Sequence, residues 1–322
     1  MRVLVTGGAG YIGSVAAYSL IEQGYEVTVL DDLSTGKSKN IPNEARIVLG
    51  SLLDPGSVLS SLEDCDAVMH FAGKSLVGES VENPELYQKI NVEGSKLLLS
   101  QMKSCEVKKL IFSSSAATYG NAKETPIPES AKPEPTNPYG NTKLQIENLI
   151  SKESEDSGLS AISLRYFNVA GAKEISSGWL FEQHEPETHL IPNVLNSSPE
   201  NPVRIFGIDW PTPDGTCIRD YVHVIDLIDA HIIALKALET SGHTILNLGS
   251  GKGFSVKEVV SAASSVLGRK VSIIEAKRRH GDPAVLIANI SIAREMLGWE
   301  PKSSLESMVR DSHLAETWKT NN

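Results

Sequence analysis

"VTGGAGYIG", residues 5–13, decides the fold. It follows the apolar run "RVLVT" (2–6) and opens the helical pattern "YIGSVAAYSLIEQG" (11–24), which Gly24 stops. Gly7, Gly10 and Gly13 make a GxxGxxG pattern between strand and helix. Glycine permits the tight turn and lets the backbone approach a pyrophosphate, while the helix N-terminus offers unpaired N–H groups to the anion. The next run, "EVTVL" (26–30), leads into Asp31 and Asp32. Asp31 stands about 20 residues beyond the last glycine, where a carboxylate accepts hydrogen bonds from a ribose diol and repels a 2′-phosphate. The expected cofactor is therefore NAD rather than NADP.

Working outward, "ARIVLG" (45–50), "DAVMHF" (66–71), "KLIFSS" (109–114) and "SAISLRYF" (160–167) repeat the apolar form, with helix-like stretches at 55–62 and 84–104. Apolar runs alternating with helices predict βαβ units and a parallel sheet covered on both faces. After Asn168 the pattern loosens. Residues 171–187 read as a loop and "THLIPNVLNSS" as a short helix. "RDYVHV" (219–224) and "HTILNLGS" (243–250) read as strands around the helix "IDLIDAHIIALKAL" (225–238). Both strands are expected to rejoin the first sheet. The fold class is α/β: a Rossmann-type doubly wound parallel sheet with a smaller mixed α/β C-terminal substrate domain. Residues 1–168 plus about 219–250 would form the NAD-binding domain, and 169–218 plus 251–322 the substrate domain.

The totals narrow the function. Of 322 residues, 40% are hydrophobic and 22% charged, which is ordinary globular composition. A net charge of −10 argues against nucleic-acid backbones as partners, because they require a basic face. Cys65, Cys105 and Cys217 show no paired or Cys/His spacing, so neither a disulfide framework nor a metal centre is expected. Met1 leads straight into a strand, and no apolar run approaches the roughly 20 residues that span a bilayer. A cytoplasmic setting away from membranes is expected.

A second motif supplies chemistry. In "NPYGNTK" (137–143), Asn137 suits a helix cap and Pro138 its first turn. Tyr139, Lys143, Ile146 and Ile150 then share one helical face. The preceding strand ends in "FSSSAATYG" (112–120), placing hydroxyls at the sheet edge where open α/β sheets bind ligands. A free phenol has a pKa near 10 and is a poor base at neutral pH. At about 5 Å and an effective dielectric of about 20, Lys143 and an oxidised nicotinamide would each favour the phenolate by roughly 3 kcal/mol. Desolvation opposes them, and a net fall to about 7 is expected, which suits a general base.

GxxGxxG, Ser115 and Tyr-x-x-x-Lys together resemble the extended short-chain dehydrogenase/reductase family. "HFAGKSLVGES" (70–80), "LRYFNVAGA" (164–172), "PTPDGTCIRDYVHV" (211–224), "NLGSGKGFSV" (247–256) and "RRHGD" (278–282) extend the likeness to its nucleotide-sugar 4-epimerases. The resemblance runs nearly end to end. It implies reversible interconversion of UDP-galactose and UDP-glucose at C4 through a 4-ketose, using tightly held NAD in a homodimer. Tyr139 would move the proton of the 4-hydroxyl, Ser115 would hydrogen-bond the sugar oxygen, and Lys143 would hold the nicotinamide ribose. Cofactor contacts are implied for Tyr11, Ile12, Asp32, Ser51, Leu52, Phe71, Ala72, Gly73, Asn91, Ser113 and Tyr166, besides the glycines and Asp31. Arg219 and Arg279 would neutralise the diphosphate, with Asn168, His189 and Leu190 nearby. Phe206 and Asp282 would lie around the uridine.

Some positions depart from the family's commoner pattern. Ser51 stands where an aspartate usually meets the adenine. Ser75 replaces a lysine, with Lys74 one place displaced. His189 replaces an asparagine. Leu286 aligns with a gate residue whose bulk governs admission of N-acetylated sugars, and leucine is intermediate, so UDP-N-acetylhexosamine remains an alternative substrate; UDP-uronate is another, for which the residues show no carboxylate-recognising site. A nucleotide-sugar dehydratase would need an acid–base pair after the active-site hydroxyl, where this chain has Ala116 and Ala117. A non-catalytic redox sensor would have no need of Tyr139, Lys143 and Ser115 together.

Overall fold

Along Arg2–Thr6 the side chains alternate, and both sets are apolar: Val3 and Val5 enter one core cluster, Leu4 another. A strand buried on both faces requires covering layers on both sides. The computed structural model describes residues 1–279 and 282–321 and has this arrangement. His280 and Gly281 of the "RRHGD" motif lie outside the described residues. Seven parallel strands run in the order Gly242–Leu248, Ser160–Tyr166, Lys109–Ser115, Ala67–His70, Arg2–Thr6, Glu26–Asp31, Arg46–Leu49. The helices Tyr11–Glu22 and Val224–Lys236 cover one face with Val15, Leu20, Leu227 and Ile228. Pro55–Ser61, Gly94–Ser104 and Pro138–Ser157 cover the other with Val58, Leu98, Met102, Ile146 and Ile150. The chain steps outward from Arg2–Thr6 through two strands, then returns to add Ala67–His70 on its other side. This is the Rossmann-type doubly wound sheet. Its switch point leaves a crevice at the strands' C-terminal ends.

One strand goes elsewhere. Gly242–Leu248 joins the large sheet beside Ser160–Tyr166, as expected, but Ile218–His223 does not. It pairs in parallel with Asn168–Ala170 and Val285–Leu286, and antiparallel with Gly253–Ser255. Just past the large sheet's edge at Tyr166, the chain extends again as Asn168–Ala170, and this segment pairs with Tyr221–His223. Residues 171–187 are likewise more than a loop. Ala172–Ile175 and Gly178–Phe181 form an antiparallel hairpin, fastened by Ala172 and Phe181 packing on Ala315. The stretch 84–104 divides into Pro84–Tyr87, a π-helical segment Gln88–Glu93 and Gly94–Ser104. Leu190–Leu195 is the expected short helix. Among the described residues no helix is long and apolar enough to cross a membrane.

Candidate active site

The reactive face is set by the start of the helix Pro138–Ser157. Asn137 Oδ1 accepts the Gly140 N–H at 2.8 Å, and Pro138 occupies the first turn. A Cβ on residue 140 would stand 2.3 Å from the Ala117 carbonyl oxygen. Glycine there lets the helix press on the turn that follows the strand Lys109–Ser115. Tyr139, Lys143 and Ser115 then line one cavity of about 490 Å³, together with Gly7, Gly10 and Gly13.

Lys143 is only 5% exposed. Its Nζ donates to the Ser113 carbonyl at 2.7 Å and lies 4.9 Å from the centroid of Phe112 and 5.8 Å from that of Tyr139. Behind it, one turn along the helix, Glu147 accepts Arg165 Nε at 2.8 Å, Arg165 Nη2 at 2.5 Å and Ser114 Oγ at 2.6 Å. Both members of this ion pair are 2% exposed.

Burial pushes the Tyr139 phenol above its ordinary pKa, and its hydrogen bond with Ser115 pulls the other way. Burial also pushes Lys143 down to about 8, against the raising effect of the Glu147 charge. The fall to about 7 expected for the phenol is therefore absent in the chain by itself. Desolvation outweighs the Ser115 hydrogen bond, and Lys143, held at about 8, keeps most of its charge at neutral pH. The remaining lever is the positive charge that an oxidised nicotinamide brings.

The dinucleotide cradle has the expected form. Gly7 has φ +72°, and a Cβ there would meet the Ala72 backbone nitrogen at 2.7 Å. A Cβ at Gly13 would stand 2.1 Å from the Gly7 carbonyl oxygen. Gly10 caps the helix Tyr11–Glu22 with no side chain of its own, so Tyr11, Ile12 and Gly13 line the cavity unshielded. Asp31 accepts the Ala9 and Leu33 N–H groups at 2.9 and 2.8 Å, which fixes its carboxylate at the cavity wall. Burial raises its pKa and those two amides lower it, with burial prevailing. Phe71, Ala72, Gly73, Ser113 and Tyr166 complete the lining, with the Ser113 and Tyr166 hydroxyls bonded to one another. A Cβ-free turn and a fixed acceptor at the second strand's end fit a dinucleotide.

Four expected cofactor residues are not brought to either cavity. Asp32 turns to the Ser34 N–H at 2.9 Å. Ser51 Oγ accepts the Leu53 N–H at 3.2 Å, and Leu52 is buried against Gly94. Asn91 sits within the π-helical segment and is 2% exposed. It accepts the Lys74 N–H at 2.8 Å and donates to the Lys74 carbonyl at 3.0 Å and to Thr142 Oγ1 at 3.1 Å. It braces the Gly73–Lys74 turn from behind. Lys74 pairs with Glu79, while Ser75 faces the cavity.

A second cavity of about 540 Å³ contains Asn168, His189, Leu190, Phe206, Arg219, Arg279 and Asp282. It adjoins the first, since Tyr11, Asn168, Val169, Glu182, His189, Arg219 and Asp282 line both. Arg219 is mostly buried, its Nη1 donating to the Ile218 and Pro283 carbonyls at 2.9 Å each, with Asp282 3.8 Å from Nη2. The Arg279 guanidinium lies 3.8 Å over the Phe206 ring centroid, a cation–π pair. Burial lowers the His189 pKa, but the hydrogen bond with Glu187 and the charges of Glu182 and Glu187 prevail and raise it. Leu286 lines the first cavity with Tyr139 and Ser115. Glu182 and His184 also line it and were not anticipated; the only sequence signal is the density of Glu and His in "FEQHEPETH" (181–189).

Known proteins resemble this chain over its length. It is 47% identical over 315 residues to a UDP-glucose 4-epimerase of Corynebacterium glutamicum, covering 97% of this chain and 94% of that one. Its structure matches the UDP-glucose 4-epimerase from Brucella ovis in complex with NAD, at 42% identity with a TM-score of 0.93 and 97% of each chain covered. It also matches the UDP-glucose 4-epimerase from Bifidobacterium longum in complex with NAD⁺ and UDP, at 34% identity, TM-score 0.90, covering 100% of this chain and 99% of that one. The sequence profile of the NAD dependent epimerase/dehydratase family matches residues 3–249. The chain belongs to the NAD dependent epimerase/dehydratase family.

Proposed function

We propose that this chain is an NAD-dependent isomerase that interconverts UDP-galactose and UDP-glucose at C4. The observation that carries the reading is one cavity holding both the glycine cradle and Tyr139, Lys143 and Ser115, opening into a second with Arg219 and Arg279. When bound, NAD supplies acceptance and return of the C4 hydride. Tyr139 accepts the proton of the 4-hydroxyl as that carbon is oxidised and gives it back as the hydroxyl re-forms. Ser115 donates to the sugar oxygen and aligns the phenol. Lys143, anchored on the Ser113 carbonyl, offers its remaining donors to the ribose. Arg219 and Arg279 hold the diphosphate end, so the hexose can present its opposite face while the nucleotide stays fixed. The segments 169–218 and 251–322 supply most of that second cavity, in keeping with a substrate-binding division of the chain. Support for a homodimer and for a cytoplasmic setting is the family resemblance.

The test uses the protein as purified. It is mixed with UDP-galactose, no NAD is added, and UDP-glucose is followed by chromatography after quenching. Product in excess of the enzyme supports the proposal. No product, even after NAD is supplied, overturns it.

A further inference from the structure

Where the two cavities meet stands a group of side chains to which the proposed reaction gives no proton or hydride step, His189 among them being set near the diphosphate by the family resemblance. Glu182, His184 and His189 each offer one ligand atom, and those atoms lie within 4.8 Å of one another. No other group of three His, Cys, Asp or Glu residues is so placed among the described residues. Chain geometry assembles it. Glu182 immediately follows the hairpin strand Gly178–Phe181, and its Oε1 accepts the backbone N–H groups of Gln183 and His184 at 2.8 and 3.0 Å. This Asx-like fold-back sets His184 Nδ1 2.5 Å from the same oxygen. His189 caps the helix Leu190–Leu195 and brings its Nδ1 to 4.0 Å from Glu182 Oε2. The two imidazoles are 5.7 Å apart between centroids and tilted by 46°, not stacked.

We infer that Glu182, His184 and His189 form a binding site for a divalent transition-metal ion of the zinc class. Two imidazoles and one carboxylate are a donor set that suits zinc, cobalt and nickel and is poor for magnesium or calcium, which prefer all-oxygen shells. Zinc–nitrogen and zinc–oxygen bonds of about 2.0–2.2 Å put ligand atoms roughly 3.5 Å apart around a tetrahedral ion, so closing this group needs side-chain movement of about 1 Å. All three side chains are partly exposed, which leaves them room to move. Glu187 Oε1 lies 2.7 Å from His189 Nδ1, so that contact has to open for Nδ1 to take the ion. The fourth position of such an ion faces the cavities, since all three residues line the first and two of them the second. That position would accept water or a phosphate oxygen.

The test is zinc chloride titrated by calorimetry into the full chain in a non-chelating buffer at neutral pH, with cobalt(II) absorption as a second readout. One saturable site per chain is expected, with tetrahedral cobalt bands. His184→Ala and Glu182→Gln should each weaken zinc binding at least tenfold, while His313→Ala, remote on the helix Leu305–Asn321, should leave it unchanged. Circular dichroism and the melting temperature of each variant establish that the fold persists. Absence of saturable binding overturns the inference, as does binding unchanged in both His184→Ala and Glu182→Gln. Because the readout is binding, its failure is distinguishable from failure of the epimerase reading.

Discussion

Lys143→Met should change how stability depends on pH. The fold holds the Lys143 pKa down to about 8 from an ordinary 10.5, chiefly by burial. Between those two values the unfolded chain is protonated while the folded chain is not, so stability rises with pH. Below pH 8 the fold carries the full cost of a buried ammonium. A gap of about 2.5 pKa units corresponds to roughly 3 kcal/mol. Methionine has a similar length and no charge, so this contribution vanishes in the variant. The hydrogen bond to the Ser113 carbonyl is lost at every pH and drops out of the trend. Wild type should therefore gain about 2–3 kcal/mol relative to Lys143→Met between pH 7 and pH 10, because the groups common to both proteins cancel. The assay is guanidinium unfolding of dinucleotide-free protein at four pH values across that range. A stability difference that stays constant from pH 7 to pH 10 would refute the claim that Lys143 is held against its charge.

Two further substitutions test the surroundings of the site. Glu147→Gln leaves the Arg165 guanidinium buried without its counter-charge, which should cost about 3 kcal/mol in urea unfolding. The pair Glu147→Leu with Arg165→Met should recover most of that loss, and a single variant within 1 kcal/mol of wild type would contradict this reading. Gly13→Ala places a Cβ 2.1 Å from the Gly7 carbonyl oxygen, so the cradle has to shift by about 1 Å. The purified variant should carry at least tenfold less dinucleotide per chain by absorbance after denaturation; equal occupancy would contradict it.

The large sheet was legible because most of its strands are short apolar runs alternating with helical patterns. Ile218–His223 was misplaced because its neighbours, Asn168–Ala170, Gly253–Ser255 and Val285–Leu286, are two or three residues long and carry no periodic signal. The hairpin at 172–181 was missed for a similar reason: Lys173 and Glu174 break any alternation, and its fastening to Ala315 is far along the chain. At the site, the motifs Gly7–Gly13 and Tyr139–Lys143 are local spacings, and one turn or one helix face brings each together. Asn91 is different. The family resemblance implied a cofactor contact for it, and the π-helical segment sets its side chain against the Lys74 backbone. The Glu147–Arg165 pair was invisible because a glutamate one turn beyond a lysine reads as an exposed face, and only the neighbouring strand supplies the arginine. The electrostatics reversed for a reason that spacing does not carry. Tyr139 and Lys143 are both desolvated, and that penalty depends on the whole surrounding wall.

The proton-transfer role of Tyr139 is tested most directly by the initial rate of UDP-galactose conversion in Tyr139→Phe against wild type, at matched NAD content. The ring keeps its edge-on contact with Tyr87, 6.4 Å between centroids, so the fold and cofactor should be retained. Loss of a positioned general acid–base should lower the rate about 10²–10⁴-fold. A variant that turns over within threefold of wild type would show that the phenol does not move the proton.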